Sequence, residues 1–182
     1  YGLVEVHLYR PFSKEYLIKE IPNTVSNIAV LDRTKESGSV GEPLYLDVLS
    51  ALSNLKDKHF NIVGGRYGLS SKNTTPAQIK AIYDMLDNPI NNFTVGIEDD
   101  VTNLSLKIDN NYKITTSDEI LIYGYGSDGM VSASKSIIRL VGENTDKYVQ
   151  GYFQYDSKKS GGVTLSHLRF STQKIKSTYY VE

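Results

Sequence analysis

The sequence predicts an α/β protein: a doubly wound, mostly parallel sheet over residues 1–100, a connector over 101–118, and part of a second α/β domain over 119–182. Three observations carry that prediction. Short apolar runs alternate with helically spaced segments as far as Ile97, the order that parallel strands and crossover helices require. Residues 101–118 turn rich in Asn and Thr, with only Leu104, Leu106 and Ile108 alternating. From Glu119 a strand-like run meets a glycine turn and a helical segment, and aromatic alternating runs follow.

In chain order, Leu3, Val4, Val6, Leu8 and Tyr9 predict a strand stopped by Pro11, and Ser13 stands as the N-cap of a short helix over Lys14–Glu20. Ser26–Leu31 is a continuous apolar run, the pattern of a strand covered on both faces, and Asp32 ends it. Leu44, Val48, Leu49, Leu52 and Leu55 recur at helical spacing behind Pro43, which suits a first turn. His59–Val63 predicts the next strand, Gly64–Lys72 a loop, Thr75–Leu86 a helix and Asn92–Ile97 a fourth strand. The strand ends carry Asp32–Glu36, Gly64–Tyr67 and Glu98–Asp100. A catalytic or metal edge would use such groups, but loop charges that pair with one another are the plainer reading. Glu98, Asp99 and Asp100 lack the spacing of a calcium loop, and no metal is assigned.

In the second half Glu119–Tyr125 predicts a strand, Gly124, Gly126 and Gly129 a turn, and Val131–Val141 a helix with Gly142 at its C-cap. Tyr148–Tyr155 should be a strand in the same sheet, and Val163–Phe170 and Ile175–Val181 two more. No helix remains to cover the sheet's second face. A strand, a glycine turn and a helix start can aim backbone N–H groups at an anion, which makes the turn a candidate phosphate cradle. A second glycine-bearing turn, Asp156–Gly162, brings Lys158 and Lys159, so that the two turns could clamp one multiply charged ligand. The competing readings are structural: glycines for a tight connection, paired lysines on a solvated turn. His167, alternating with Leu168 and Phe170, reads as a hydrogen-bonded structural histidine rather than a ligand.

Composition narrows the function classes. A net charge of −1 over 182 residues gives no field to recruit nucleic acid or an anionic membrane. The absence of cysteine removes thiolate nucleophiles, disulfides and iron–sulfur ligation from this stretch. The first residues lack an initiator Met, a basic segment and a long apolar run, so they read as neither a signal peptide nor a membrane span, and the chain reads as cut from something longer.

The blocks Leu8–Phe12, Val30–Glu36, Gly41–Asp47, Gly64–Lys72, Phe93–Val101, Gly126–Gly129 and Gly151–Phe170 together resemble pyruvate:ferredoxin (flavodoxin) oxidoreductase, in order and along nearly the whole chain. The resemblance implies an internal fragment of a cytoplasmic, homodimeric multidomain enzyme of anaerobic metabolism. That enzyme decarboxylates pyruvate on thiamine diphosphate with Mg, passes electrons through [4Fe–4S] clusters to ferredoxin or flavodoxin, and releases acetyl-CoA and CO2. Residues 1–100 would be a domain similar to the C-terminal domain of transketolases, lacking its opening strand, and 119–182 the start of the γ-type domain that caps coenzyme A. The resemblance places coenzyme A contacts on Gly126, Ser127, Asp128, Gly129, Met130 and Lys158. It implies no catalytic residue in this stretch, which alone should not turn over. Met130 stands where the family has a small hydroxylated residue, and Ser132–Lys135 where it has Gly-Ala-Asn-Lys.

Two other readings start from the same residues. Gly124-x-Gly126-x-x-Gly129 opening a helix, with Asp156 near the end of the following strand, fits an NAD(P)-binding domain, and Lys158 and Lys159 could accept a 2′-phosphate. Alternatively the stretch is an interface module between domains of one long chain, and its glycines are only structural.

Overall fold

The computed structural model describes residues 1–55, 58–98, 100–156 and 161–181, in two units, Tyr1–Tyr112 and Lys113–Glu182. Unit 1 contains helix α1 (Lys14–Glu20), strand β1 (Asn27–Asp32), helix α2 (Pro43–Leu52), strand β2 (Asn61–Arg66), helix α3 (Pro76–Met85) and the two-residue strand β3 (Phe93–Thr94). The strands are parallel, in the order β1-β2-β3. Residues alternate between the faces, so Val30, Ile28 and Ile62 pack with Tyr45, Val48 and Leu52 of α2. Ala29, Leu31 and Val63 pack instead with Ile82 and Met85 of α3 and with Phe93. Helices therefore cover both faces of a parallel sheet, the α/β architecture expected.

The local differences have physical causes. Residues 1–9 form no strand, and Leu3 and Leu8 stand exposed, because β-propensity needs a neighbouring strand before it becomes structure. Gly64 and Gly65 belong to β2, not to a loop. A Cβ on Gly65 would overlap the Phe93 ring, and one on Gly64 would lie 2.9 Å from Tyr45, so these glycines make room for an aromatic ring on either face. The fourth strand shrinks to Phe93–Thr94, after which Leu104 and Leu106 exchange backbone bonds with Thr94 at 3.0 and 2.9 Å. Leu106 and Ile108 then pack on the α3 side of the sheet.

Unit 2 is strand β4 (Asp118–Tyr125), helix α4 (Met130–Asn144), strand β5 (Tyr148–Tyr155) and strand β6 (Val163–Ser171), forming an antiparallel sheet in the order β4-β6-β5. β5 thus shares the sheet with β4, as expected, with β6 between them. α4 runs through Gly142 to Asn144, so Gly142 is no C-cap. A Cβ there would approach Val149 to 3.3 Å. Ser134, fully buried, gives its hydroxyl to the Met130 carbonyl at 2.8 Å, and the slim residue lets the helix lie close on the sheet.

The last expected strand is not one. Residues 175–181 make no ladder and are held by side chains from β5 and β6. Gln150 Nε2 donates to the Ser177 carbonyl at 2.7 Å, and Arg169 Nη1 to the Tyr179 carbonyl at 2.6 Å. His167 stacks on Tyr180 at 4.8 Å, and its Nδ1 lies 3.1 Å from the Val181 N–H. The face of β6 that α4 leaves uncovered is polar, so a strap bonded by side chains covers it where a helix was expected. His167 is structural, as its place in the strand predicts, and its second nitrogen meets Gln154 Oε1 at 2.9 Å. Burial holds its pKa below the ordinary histidine value, and the Arg169 charge adds to the depression, while the contact of Nδ1 with the Val181 carbonyl at 3.1 Å opposes it.

Candidate functional site

The charged ends of the unit 1 strands are engaged internally. Asp32, 7% exposed, accepts the Leu44 and Tyr45 N–H groups at 3.0 Å each, satisfying the first turn of α2. Glu42 pairs with Arg66, and Asp100 accepts the Thr102 and Ser105 N–H groups. Among the described residues no cluster of His, Asp and Glu could hold a metal ion. Asp99 lies outside the described residues.

The glycine turn of unit 2 is different in kind. β4 ends at Tyr125, Gly126 and Gly129 take positive φ of 60° and 87°, and α4 begins at Met130. Only glycine adopts those two conformations at little cost, so the sequence itself writes this turn. Gly126, Ser127, Asp128, Gly129 and Met130, five of the six residues expected to bind coenzyme A, are one contiguous turn at the N-terminus of a 15-residue helix, the first four exposed and Met130 half-buried. Lys158, the sixth, and Lys159 lie outside the described residues.

The second glycine turn reaches the first. β4 and β6 stay paired to Tyr125↔Val163, and beyond that pair the Gly126 N–H donates to the Gly162 carbonyl at 2.7 Å. A Cβ on Gly161 would lie 3.3 Å from the Tyr125 hydroxyl. Antiparallel pairing thus brings Gly161 and Gly162 beside the end of β4 and the first turn.

Asp128 dominates the local electrostatics. Its carboxylate accepts the Tyr125 N–H at 2.7 Å and the Met130 N–H at 2.9 Å. Those bonds, Met130's first, hold its pKa below the ordinary carboxylate value and keep it ionised at neutral pH. Residue types alone missed this engagement, although an Asp just before a glycine at a helix start is a standard signal for a side chain folding back on its own backbone.

Thr164 is a second residue the sequence did not single out. It is 8% exposed, pairs with Gly124 across the β4–β6 ladder, and its Oγ1 is buried without a hydrogen-bond partner. A Cβ on Gly124 would collide with that hydroxyl and lie 3.0 Å from Met130 Cβ and 3.3 Å from Asp128 Oδ1. Gly124 therefore keeps a line open between the Thr164 hydroxyl and the carboxylate. Register could have pointed to Thr164, because it faces the glycine that opens the turn. Lys135 sits over the Phe153 ring at 5.4 Å.

The sheet does not have the layout of a dinucleotide fold. There the strand after the first helix lies parallel and adjacent to the first strand, with its acidic residue beside the glycine turn. Here β6 separates β4 from β5, and Asp156 follows the end of β5, one strand away.

Residues 119–182 match the family model described as pyruvate ferredoxin/flavodoxin oxidoreductase. Over 187 residues the chain is 53% identical to the pyruvate:ferredoxin oxidoreductase of Moorella thermoacetica, covering all of this chain and 16% of that protein. It is also 53% identical to a putative pyruvate-flavodoxin oxidoreductase of Synechocystis, covering 99% of this chain and 15% of that protein. With the pyruvate-flavodoxin oxidoreductase of Nostoc it shares 48% identity over its whole length, which is 16% of that protein. The chain spans about a sixth of the length of these relatives.

Proposed function

The chain belongs to the pyruvate ferredoxin/flavodoxin oxidoreductase family, and on that premise we propose that its glycine turn binds the phosphates of coenzyme A for an enzyme that oxidises pyruvate to acetyl-CoA and CO2. The observation that carries this reading is the pairing of the two turns through Gly126 and Gly162 at the start of a long helix. Coenzyme A carries a pyrophosphate and a 3′-phosphate, and backbone N–H groups at a helix start, with lysines as point charges, suit such a ligand. Ser127, Gly129 and Met130 would supply backbone contacts, Gly126, whose N–H is bonded to Gly162, and Asp128 would shape the turn, and Lys158 would neutralise charge.

The turn's task is positioning. It would hold the phosphorylated end so that the thiol reaches the acyl group generated elsewhere in the enzyme. Thiamine diphosphate, Mg and the [4Fe–4S] clusters belong to other parts of such an enzyme, since this chain has no cysteine to ligate a cluster. Ferredoxin or flavodoxin would accept the electrons, the full enzyme would be a homodimer, and its place would be the cytoplasm. Among the described residues no helix is long and apolar enough to cross a membrane. Residues 1–100 would serve as the transketolase C-terminal-like domain and 101–118 as the connector.

The experiment is steady-state kinetics in an oxidoreductase of full family length carrying this chain. Lys158→Ala should raise KM for coenzyme A about tenfold, with kcat and KM for pyruvate little changed. An unchanged KM for coenzyme A removes Lys158 from the site.

A further inference from the structure

We propose that Asp128 is a built-in anion that holds the phosphate position of the glycine turn and gives way to a phosphorylated ligand, with Thr164 as the residue that receives the displaced carboxylate. The inference rests on the reading of this turn as the phosphate site of coenzyme A, and it adds a competitor inside the site and a partner beneath it.

Two donors beside the helix start are already in use. Tyr125 N–H and Met130 N–H, which flank the helix start, both point at the Asp128 carboxylate. A phosphate brought to the same two groups would meet a like charge at bonding distance, an arrangement two anions do not share. With its pKa lowered, Asp128 does not escape by taking up a proton at neutral pH. It has to move. Its side chain is exposed, so packing does not hold it in place.

The destination is written into the ladder. Thr164 Oγ1 is an unpartnered hydroxyl within a residue more than nine-tenths buried, and it aims at the side-chain-less face of Gly124. The position a Cβ would occupy on Gly124 overlaps that hydroxyl and lies 3.3 Å from Asp128 Oδ1, so both oxygens border the space glycine leaves. Buried hydroxyls in native proteins are ordinarily paired, and a displaced carboxylate gives this one an acceptor. No bond is made or broken covalently. The exchange trades two N–H···carboxylate bonds for N–H···phosphate bonds plus one hydroxyl···carboxylate bond.

The probe is inorganic pyrophosphate titrated into the 15N-labelled chain, read at the Tyr125 and Met130 amides. Asp128→Asn keeps the shape and removes the charge, and it should bind pyrophosphate about tenfold more tightly than the native chain. Thr164→Val should weaken binding in the native background and leave it unchanged in the Asp128→Asn background, since the two residues act as a pair. Undisturbed amide resonances over Tyr148–Gly151 of β5 and Leu168–Ser171 of β6, away from both substituted positions, establish that the variants are folded. Equal or weaker binding by Asp128→Asn, or the same Thr164→Val effect in both backgrounds, overturns the proposal. If coenzyme A perturbs the turn amides of the native chain while Asp128→Asn gains nothing, the proposal fails and the coenzyme A reading stands. If neither ligand perturbs the turn in either protein, both fail.

Discussion

Asp32 and Asp128 do similar things in two places: Asp32 accepts the Leu44 and Tyr45 N–H groups in the first turn of α2, and Asp128 accepts one N–H from the end of β4, at Tyr125, and one from the start of α4, at Met130. In unit 1 the arrangement is buried, and beside it Glu42 pairs with Arg66. In unit 2 it is exposed, on a turn with two left-handed glycines, with an unpartnered hydroxyl beneath it. A helix start capped by a carboxylate is ordinary structure. Solvent access and an orphaned donor set the second one apart, and they motivate the phosphate site proposed there.

The sharpest way to break the comparison is to remove each carboxylate. Asp32→Ala leaves two buried N–H groups without their charged acceptor, and chemical denaturation should show unit 1 destabilised by about 3 kcal/mol. Asp128→Ala should move the denaturation midpoint far less, because water replaces the acceptor. Equal losses at the two positions would erase the distinction drawn here.

A second contrast lies in how the sheets are covered. Unit 1 buries apolar side chains and aromatic rings on both faces, whereas unit 2 covers its second face with a strap bonded by Arg169, His167 and Gln150. Gly65→Ala drives a methyl group into the Phe93 ring and should cost unit 1 about 2 kcal/mol, measured in the same denaturation experiment. Unit 2 should instead respond to pH. The folded pKa of His167 is lowered, so the neutral ring's contribution is fully present above the unfolded value of about 6.5 and is lost as pH falls from there through the folded value. Unfolding followed by the Tyr179 and Tyr180 signals should therefore weaken below about pH 6.5 in the native chain. His167→Gln should flatten that slope.

The parts of the fold legible in the sequence were those fixed by local chemistry. Pro43 and Thr75 mark the starts of α2 and α3, the apolar run ending at Asp32 is β1, and Gly126 and Gly129 dictate a turn before α4. What escaped depended on partners distant in the chain. Leu3–Tyr9 has the residues of a strand and no neighbour to pair with, and Gly64 and Gly65 look like a loop until Tyr45 and Phe93 are placed over them. The alternation of Ile175–Val181 reflects a strap lying on a sheet, which periodicity does not separate from a strand within one. At the site, the glycines and Asp128 were legible as residue types. The carboxylate's grip on Tyr125 and Met130 is a local fold-back that an Asp before a glycine signals, whereas the hydroxyl of Thr164 opposite Gly124 follows only from the β4–β6 register.

The most direct test of the coenzyme A site is a titration of the 15N-labelled chain with coenzyme A, followed at backbone amides. The account predicts saturable shifts centred on Gly126–Met130 and on Gly161 and Gly162 across from them, with dephospho-coenzyme A binding more weakly. Shifts confined to other residues, or none at a ligand concentration that saturates the full-length oxidoreductase, would contradict it.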